Sequence, residues 1–183
     1  MNKAFTIIEM IVVIGIILLI TGLILPNYRS NDKQLALERS IHKTAQDLRR
    51  IQEMAISAKE YNCSAFPPNQ KLKGYGINFY NHQFSPEYAY FYSTLAKCTF
   101  VYDGEEQENT STMERIYLET GIKIKEIKQG DTVVNSAYIF FYPPDPETDL
   151  SGASKVEVTL AVEDDLSQTR TVEINKIGVI SIK

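Results

Sequence analysis

The sequence contains no tryptophan, two histidines and two cysteines among its 183 residues, and these scarcities exclude several kinds of site. So few His and Cys residues cannot supply an ordinary zinc centre, and CxxC, HExxH, GxxxxGK and GxSxG motifs are absent from the sequence. Basic residues are also in deficit, with 19 Lys and Arg against 23 Asp and Glu. A general nucleic-acid binder would carry a basic surplus. We therefore expect neither an enzyme nor a general nucleic-acid-binding protein.

Charge is missing altogether from one long stretch near the N-terminus. Met10 to Leu25 contains no charged residue, and with Phe5 to Ile8 the apolar stretch reaches about twenty residues, the length of a membrane-spanning helix. The small residue Ala4 precedes this stretch, whereas a secretory signal has its small residues after the apolar core. Cleavage at Ala4 would therefore keep the apolar helix.

Glu9 is the exception within this stretch. A carboxylate in hydrocarbon is costly and requires a cationic partner. Cleavage after Ala4 would leave the amine of Phe5 four residues from Glu9. The residues leave two interpretations open. In the first, Glu9 pairs with that amine in its own or a neighbouring chain, which favours side-by-side packing of identical helices. In the second, Glu9 faces water at the membrane surface.

The segment "AFTIIEMIVVIGIILLITGLILP" (Ala4 to Pro26) resembles the N-terminus of type IV pilins and type II secretion pseudopilins. The resemblance implies cleavage by a prepilin peptidase between Ala4 and Phe5, and N-methylation of Phe5. It also implies that Glu9 is the assembly glutamate and that Pro26 is the proline common in this family. The chain departs from the family at Ala4, where glycine is usual.

A second helical pattern follows the apolar stretch. Pro26 predicts a kink or local melting, and Asn31-Asp32 predict an N-cap for a helix that ends near residues 61–64. Apolar residues recur at steps of three and four, which predicts a stripe that packs on a sheet. Its members are Leu37, Ile41, Ala45, Leu48, Ile51, Ala55 and Ala58.

From Gly74 onward the apolar period changes to two, which predicts strands joined by Gly-, Pro- and Asp-rich turns. The predicted strands are "GYGINFYN", "EYAYFYS", "KCTFVY", "GIKIKEIK", "AYIFFYP", "KVEVTLAVE" and "RTVEINKIGVISIK". The acidic cluster Asp103, Glu105, Glu106 and Glu108 is interpreted as a solvated loop. Strands without intervening helices predict one antiparallel sheet.

The expected fold is α+β: a long N-terminal helix, with a membrane-spanning half and an amphipathic half, packed on a C-terminal antiparallel sheet, the pilin-like lollipop that the resemblance implies. The predicted boundaries are a leader peptide at 1–4, an assembly helix at 5–30, an amphipathic helix at 31–66 and a head at 67–183. This order of elements is similar to the GspH/FimT-like minor branch of the family. Some members of that branch bind DNA through a basic C-terminal strand, but "INKIGVISIK" contains only two lysines, so DNA is not an expected partner.

Cys63 and Cys98 lie outside the apolar stretch. If the head is exported, a disulfide is the natural interpretation. It would close a loop of about 35 residues and stabilise the head by roughly 3–4 kcal/mol through the unfolded chain. The alternative is two buried thiols.

The segment "DPETDLSG" places Asp145, Glu147 and Asp149 at two-residue steps. Oxygen ligands in a loop at such steps can bind calcium. The alternative is an acidic hairpin turn without a metal. No other cofactor is expected.

The expected function is that of a structural subunit of a type IV pilus or a type II secretion pseudopilus. Such a subunit waits as a single-pass protein of the cytoplasmic membrane with an extracytoplasmic head, then enters a filament. The implied partners are homologous pilin subunits, the prepilin peptidase, an inner-membrane assembly platform and membrane lipid. Two alternatives stay open: a minor pilin that binds DNA or another ligand for uptake or adhesion, and a membrane-anchored sensor that never polymerises.

Overall fold

A computed structural model describes residues 6–57, 63, 71–81, 91–102, 105–143 and 147–183. Within these residues one helix, α1 (Ile7–Ile56), precedes ten strands. The strands are β1 (Lys71–Tyr80), β2 (Phe91–Tyr102), β3 (Glu105–Tyr117), β4 (Ile122–Gln129), β5 (Thr132–Val134), β6 (Ser136–Tyr142), β7 (Glu147–Asp149), β8 (Lys155–Val162), β9 (Asp165–Asn175) and β10 (Ile180–Ile182). The α+β class is thus confirmed, with the helix first and antiparallel strands after it.

Helix α1 is continuous over 50 residues. The predicted local melting at Pro26 and the predicted N-cap at Asn31-Asp32 are therefore wrong. The predicted end near residues 61–64 is also wrong, since α1 ends at Ile56. A proline inside a helix removes one backbone donor, and the turns on either side can hold the helix together. At the C-terminal end, the Ser57 N–H donates to the Glu53 carbonyl at 2.9 Å.

Burial along α1 begins at Ala36, and from there the predicted apolar stripe is confirmed. Its described members are each at most 2% exposed: Leu37, Ile41, Ala45, Leu48, Ile51 and Ala55. Ala58 lies outside the described residues. The spacing of three and four residues keeps these side chains on one face, which is the face that the head covers.

The strands form two five-stranded antiparallel sheets, where the sequence analysis predicted one. The first sheet has the order β3-β2-β1-β6-β7 and the second β10-β9-β8-β4-β5. The chain passes between the sheets three times: after β3, at Asn135 between β5 and β6, and after β7. Alternation along a strand shows which residues face the core, but it does not show which strand lies alongside, so the division into two sheets was missed.

The stripe of α1 packs across both sheets, against β1 and β6 of the first and against β4, β8, β9 and β10 of the second. Inward-facing side chains of the first sheet include Tyr75, Ile77 and Phe79 of β1, each 0% exposed. In the second sheet, β8 contributes Val156, Val158 and Leu160. Helix and sheets therefore share one core.

The short strands β5 and β7 were not predicted, and several strand boundaries differ from the prediction. The segments "EYAYFYS" and "KCTFVY" were predicted as two strands, but β2 runs unbroken from Phe91 to Tyr102. The supposed acidic loop begins β3, an edge strand that pairs with β2 and carries mostly polar residues. Polar residues on an edge strand discourage pairing with other molecules, so the apolar period that marks an inner strand is missing there. The final predicted strand is a hairpin of β9 and β10.

Candidate functional site

The N-terminal part of α1, residues 7–22, is called the arm here. Every side chain in it is exposed, and its large apolar members range from 47% exposed at Val13 to 82% at Ile7. They are Ile7, Ile8, Met10, Ile11, Val12, Val13, Ile14, Ile16, Ile17, Leu18, Leu19 and Ile20. Because these residues follow one another along the helix, they cover all of its faces.

Full burial of one such side chain contributes about 1.5–3 kcal/mol. The described residues of the head leave every face of the arm uncovered. An apolar environment around the arm would therefore stabilise it. Within the described part of the chain, no helix combines the length and the apolar character needed to span a membrane.

Glu9 lies in the first turn of α1 and is exposed. Thr6 is the N-cap, and its Oγ1 accepts a hydrogen bond from the Glu9 backbone N–H at 3.3 Å. Thr followed three residues later by Glu has the spacing of a capping box, a signal that our sequence analysis missed. A carboxylate in the first turn also interacts favourably with the helix macrodipole, by about 0.3–1 kcal/mol. Glu9 thus marks the start of the helix.

The other residues predicted for processing and assembly are only partly described. Ala4 and Phe5 lie outside the described residues, so the predicted pairing of the Phe5 amine with Glu9 stays a prediction. Pro26 lies within α1, in a segment for which only the backbone is described. Among the described residues, Glu9 forms no salt bridge.

The root of the arm is held to the head by ion pairs on several sides of α1. Lys33 Nζ lies 2.5 Å from Asp164 Oδ2, and Arg170 Nε lies 2.7 Å from Glu38 Oε1. Arg39 forms a two-bond contact with Glu119, with Nε to Oε1 at 2.9 Å and Nη2 to Oε2 at 2.8 Å. The hydrogen bond from Arg39 lowers the pKa of the Glu119 carboxyl. Each exposed pair contributes at most about 1 kcal/mol, and all three join the same segment of α1 to the head.

The far end of the head contains the predicted disulfide. Cys63 and Cys98 are bonded, with their Cα atoms 6.1 Å apart. Cys98 belongs to β2 and is 0% exposed. The bond therefore ties the segment that follows α1 to the first sheet.

Of the three predicted calcium ligands, only Asp149 has a described side chain. Asp145 lies outside the described residues, and only the backbone of Glu147 is described, at the start of β7. Asp149 Oδ1 accepts a hydrogen bond from the Ser151 N–H at 2.9 Å, and Oδ2 accepts one from the Tyr142 hydroxyl at 3.3 Å. Among the described residues, no three His, Cys, Asp or Glu side chains are grouped to hold a metal. Calcium binding stays a prediction.

No protein-family model matches this chain, and no curated protein matches it. Among solved structures, the crystal structure of the type IV minor pilin FimU from Pseudomonas aeruginosa strain PAO1 is similar to it, with a TM-score of 0.45 and 11% sequence identity. The similar region covers 85% of this chain and 90% of that one. A likeness at this level carries no argument about function.

Proposed function

We propose that this chain is a structural subunit that polymerises through its arm, as the resemblance of Ala4–Pro26 to pilins and pseudopilins implies. One observation carries the proposal. Residues 7–22 expose apolar side chains on every face of a helix, while the continuation of the same helix from Ala36 buries its apolar stripe in the head. A helix with apolar side chains on every face can pack against other apolar helices on all sides, and the arms of identical copies are such helices.

In this proposal the subunit first resides in the cytoplasmic membrane with its head outside, and then transfers its arm into a bundle of arms. Lipid and a bundle of Ile- and Leu-rich helices are similarly apolar. The apolar surface area of the arm that is exposed to water therefore changes little during the transfer. Side-chain packing and polar pairs must therefore decide whether the bundle forms. Glu9 is the polar group of the described arm that can form such a pair.

Processing supplies the partner of Glu9. Cleavage between Ala4 and Phe5 creates an N-terminal ammonium group, which N-methylation leaves positively charged. That group on one copy neutralises Glu9 of its neighbour. The capping hydrogen bond between Thr6 and Glu9 supports this arrangement because it holds the Glu9 backbone at the first turn of α1.

Substitution of Glu9 tests the proposal directly. We expect Glu9→Ala to abolish filaments while the protein remains in the membrane fraction at its usual level, since one charge is lost and no apolar contact is. Glu53→Ala is the matched control, because Glu53 is an exposed glutamate in the last turns of the same helix. Filaments of Glu9→Ala as abundant as those of the control would contradict the proposal. Electron microscopy and membrane fractionation provide the two measurements.

The mass of the native N-terminus separates the proposal from a membrane-anchored sensor. We expect a chain that begins at a methylated Phe5, whereas a sensor would retain Met1. Retention of the full-length protein on DNA at about 150 mM salt would instead favour a DNA-binding minor pilin.

A further inference from the structure

The sequence Asn109-Thr110-Ser111 has the form Asn-x-Ser/Thr with a residue other than proline in the middle. This form is the acceptor motif for N-linked glycans in secreted proteins. It specifies the amide nitrogen that receives the sugar and a hydroxyl group two residues later. The motif occurs once more in the chain, at Asn62, which lies outside the described residues.

Asn109 lies where a bulky group can be attached without disturbing the core. It belongs to β3, which pairs with β2 and is the outermost strand of the first sheet. Asn109 and its neighbours Glu108 and Thr110 are all exposed, and Ser111 is half-buried. A glycan at this position would therefore extend into solvent, and the core would not need to repack.

The two groups of the motif lie on the same face of β3, because side chains two residues apart in a strand point to the same side. Glu108 points to the other face, where its Oε2 lies 2.8 Å from Lys97 Nζ. The ion pair is therefore directed away from the Asn109 amide. Asn109 and Ser111 share a face on which the carboxylate of Glu108 does not lie.

The disulfide supports the compartment that such a modification requires. Disulfides persist in oxidising compartments outside the cytoplasm, and Cys63 and Cys98 are bonded. N-linked glycans are attached to the exported parts of proteins. The same compartment therefore fits both the bond and the motif.

We propose that Asn109 is the acceptor of an N-linked glycan, whose donor is an oligosaccharide carried on a polyprenyl diphosphate. In the transfer, Asn109 Nδ2 forms a bond to C1 of the first sugar, and the bond from C1 to the diphosphate oxygen breaks. The amide loses one proton to a base of the transferase, and the polyprenyl diphosphate leaves with the bonding electron pair. The inference rests on the proposed function in one respect, the export of the head.

A glycan on Asn109 would protect the exposed edge of the first sheet. Strand β3 is 13 residues long, and a long edge strand pairs with other chains unless charge or bulk prevents it. A hydrated glycan near the middle of this edge adds bulk to the charge that residues such as Glu108 already supply.

Mass spectrometry of the full-length protein purified from its own cells tests the proposal. We expect the peptide that contains Asn109 to carry the additional mass of several sugar residues. Asn109→Gln and Ser111→Ala should each lose this mass completely, because each removes one group of the motif. Ser111→Thr restores the hydroxyl and Thr110→Ala changes only the middle position, so both control variants should keep it.

Two results would overturn the proposal: a wild-type peptide of unmodified mass, and sugar that persists in Asn109→Gln, which would be attached to a serine or threonine hydroxyl. The native N-terminus separates this inference from the proposed function. A chain that begins at methylated Phe5 and carries no sugar would overturn the inference and leave the proposed function intact. A chain that retains Met1 and carries no sugar would contradict both.

Discussion

Tyr92 places a phenol group between α1 and the first sheet, where the residue is 1% exposed. Its hydroxyl donates a hydrogen bond to Asp47 Oδ2 at 2.5 Å. Burial, together with this hydrogen bond, raises the pKa of Tyr92. The hydroxyl therefore remains a donor at all pH values at which the protein is handled, and it satisfies a half-buried carboxylate of the helix.

Removal of this hydroxyl should weaken the head. We expect Tyr92→Phe to lower the free energy of unfolding by about 1–3 kcal/mol, since Asp47 keeps its partial burial and loses its donor. Urea unfolding of the full-length protein in mild detergent gives the measurement. Tyr138→Phe is the control, because Tyr138 is 37% exposed, and it should cost no more than about 0.5 kcal/mol. Equal losses in the two variants would contradict this account.

Glu157 lies in β8 opposite Glu173 of β9. Hydrogen bonding with Glu173, followed by hydrogen bonds from Lys155 and Lys183, lowers the pKa of Glu157 to about 2. Its value in an unfolded chain is near 4.5. Glu157 therefore binds a proton less readily in the folded protein than in the unfolded chain. The stabilisation that its carboxylate gives to the folded state is present above pH 4.5 and is lost as the pH falls toward 2.

Acid titration tests this cluster. We expect the free energy of unfolding to decline between about pH 4.5 and pH 2, with a contribution of order 1–2 kcal/mol from Glu157 after allowance for solvent screening. Glu157→Gln should flatten the decline by that amount. A variant whose stability falls with pH as steeply as the wild type would show that the contacts with Glu173, Lys155 and Lys183 do not stabilise the Glu157 carboxylate.

At the scale of elements, helix α1 is continuous, but one part of it is buried in the head and another part is exposed. Its stripe from Leu37 to Ala55 is buried across both sheets, while residues 7–22 are exposed on all sides. Helical propensity and backbone hydrogen bonds carry the helix through Pro26, where sequence rules predict a break. The disulfide then fixes the chain that leaves α1 to strand β2.

Loss of the disulfide should destabilise the head without changing its fold. The bond has a sequence separation of 35 residues, and removal of such a loop constraint costs about 3–4 kcal/mol in the chain-entropy model. We expect Cys63→Ala/Cys98→Ala to unfold at correspondingly lower urea concentration in detergent. Chemical reduction of the wild type is the matched control and should give a similar shift. Unchanged stability in both would mean that the bond does not constrain the unfolded chain.

The whole molecule has two different ends. The exposed arm extends from one end of α1, and the Cys63–Cys98 bond lies beyond the other end. Between them, the ion pairs of Lys33, Glu38 and Arg39 join α1 to the head. The proposed packing of identical arms would give an open polymer if the rotation between copies does not close a ring.

Much of this architecture was predictable because it depends on local patterns. The apolar stripe on α1, the strands of alternating residues such as "KVEVTLAV", and the Cys63–Cys98 bond were all expected before the structure. Strand β3 was not, because an edge strand with polar residues such as Glu108, Asn109 and Thr110 lacks an apolar period. Its strand geometry comes from pairing with β2, the strand directly before it in the chain, and polar residues that pair in this way show no apolar alternation.

The candidate site was predictable to a similar extent. Glu9 attracts attention because a charge in an apolar stretch is unusual, and Thr6 could have been found from the Thr-x-x-Glu spacing. The ion pair between Arg170 and Glu38 could not be predicted. These residues are 132 positions apart in the chain, and they meet because β9 runs alongside α1.

By itself, the sequence determined the apolar arm, the buried stripe and most of the strands, because the partition of a side chain between water and an apolar phase depends mainly on that side chain and its near neighbours. Only the tertiary structure decided that the strands divide into two sheets and that the stripe of α1 packs across both of them. These features depend on pairing between segments far apart in the chain, where many alternatives have similar local energies and the packed core selects one.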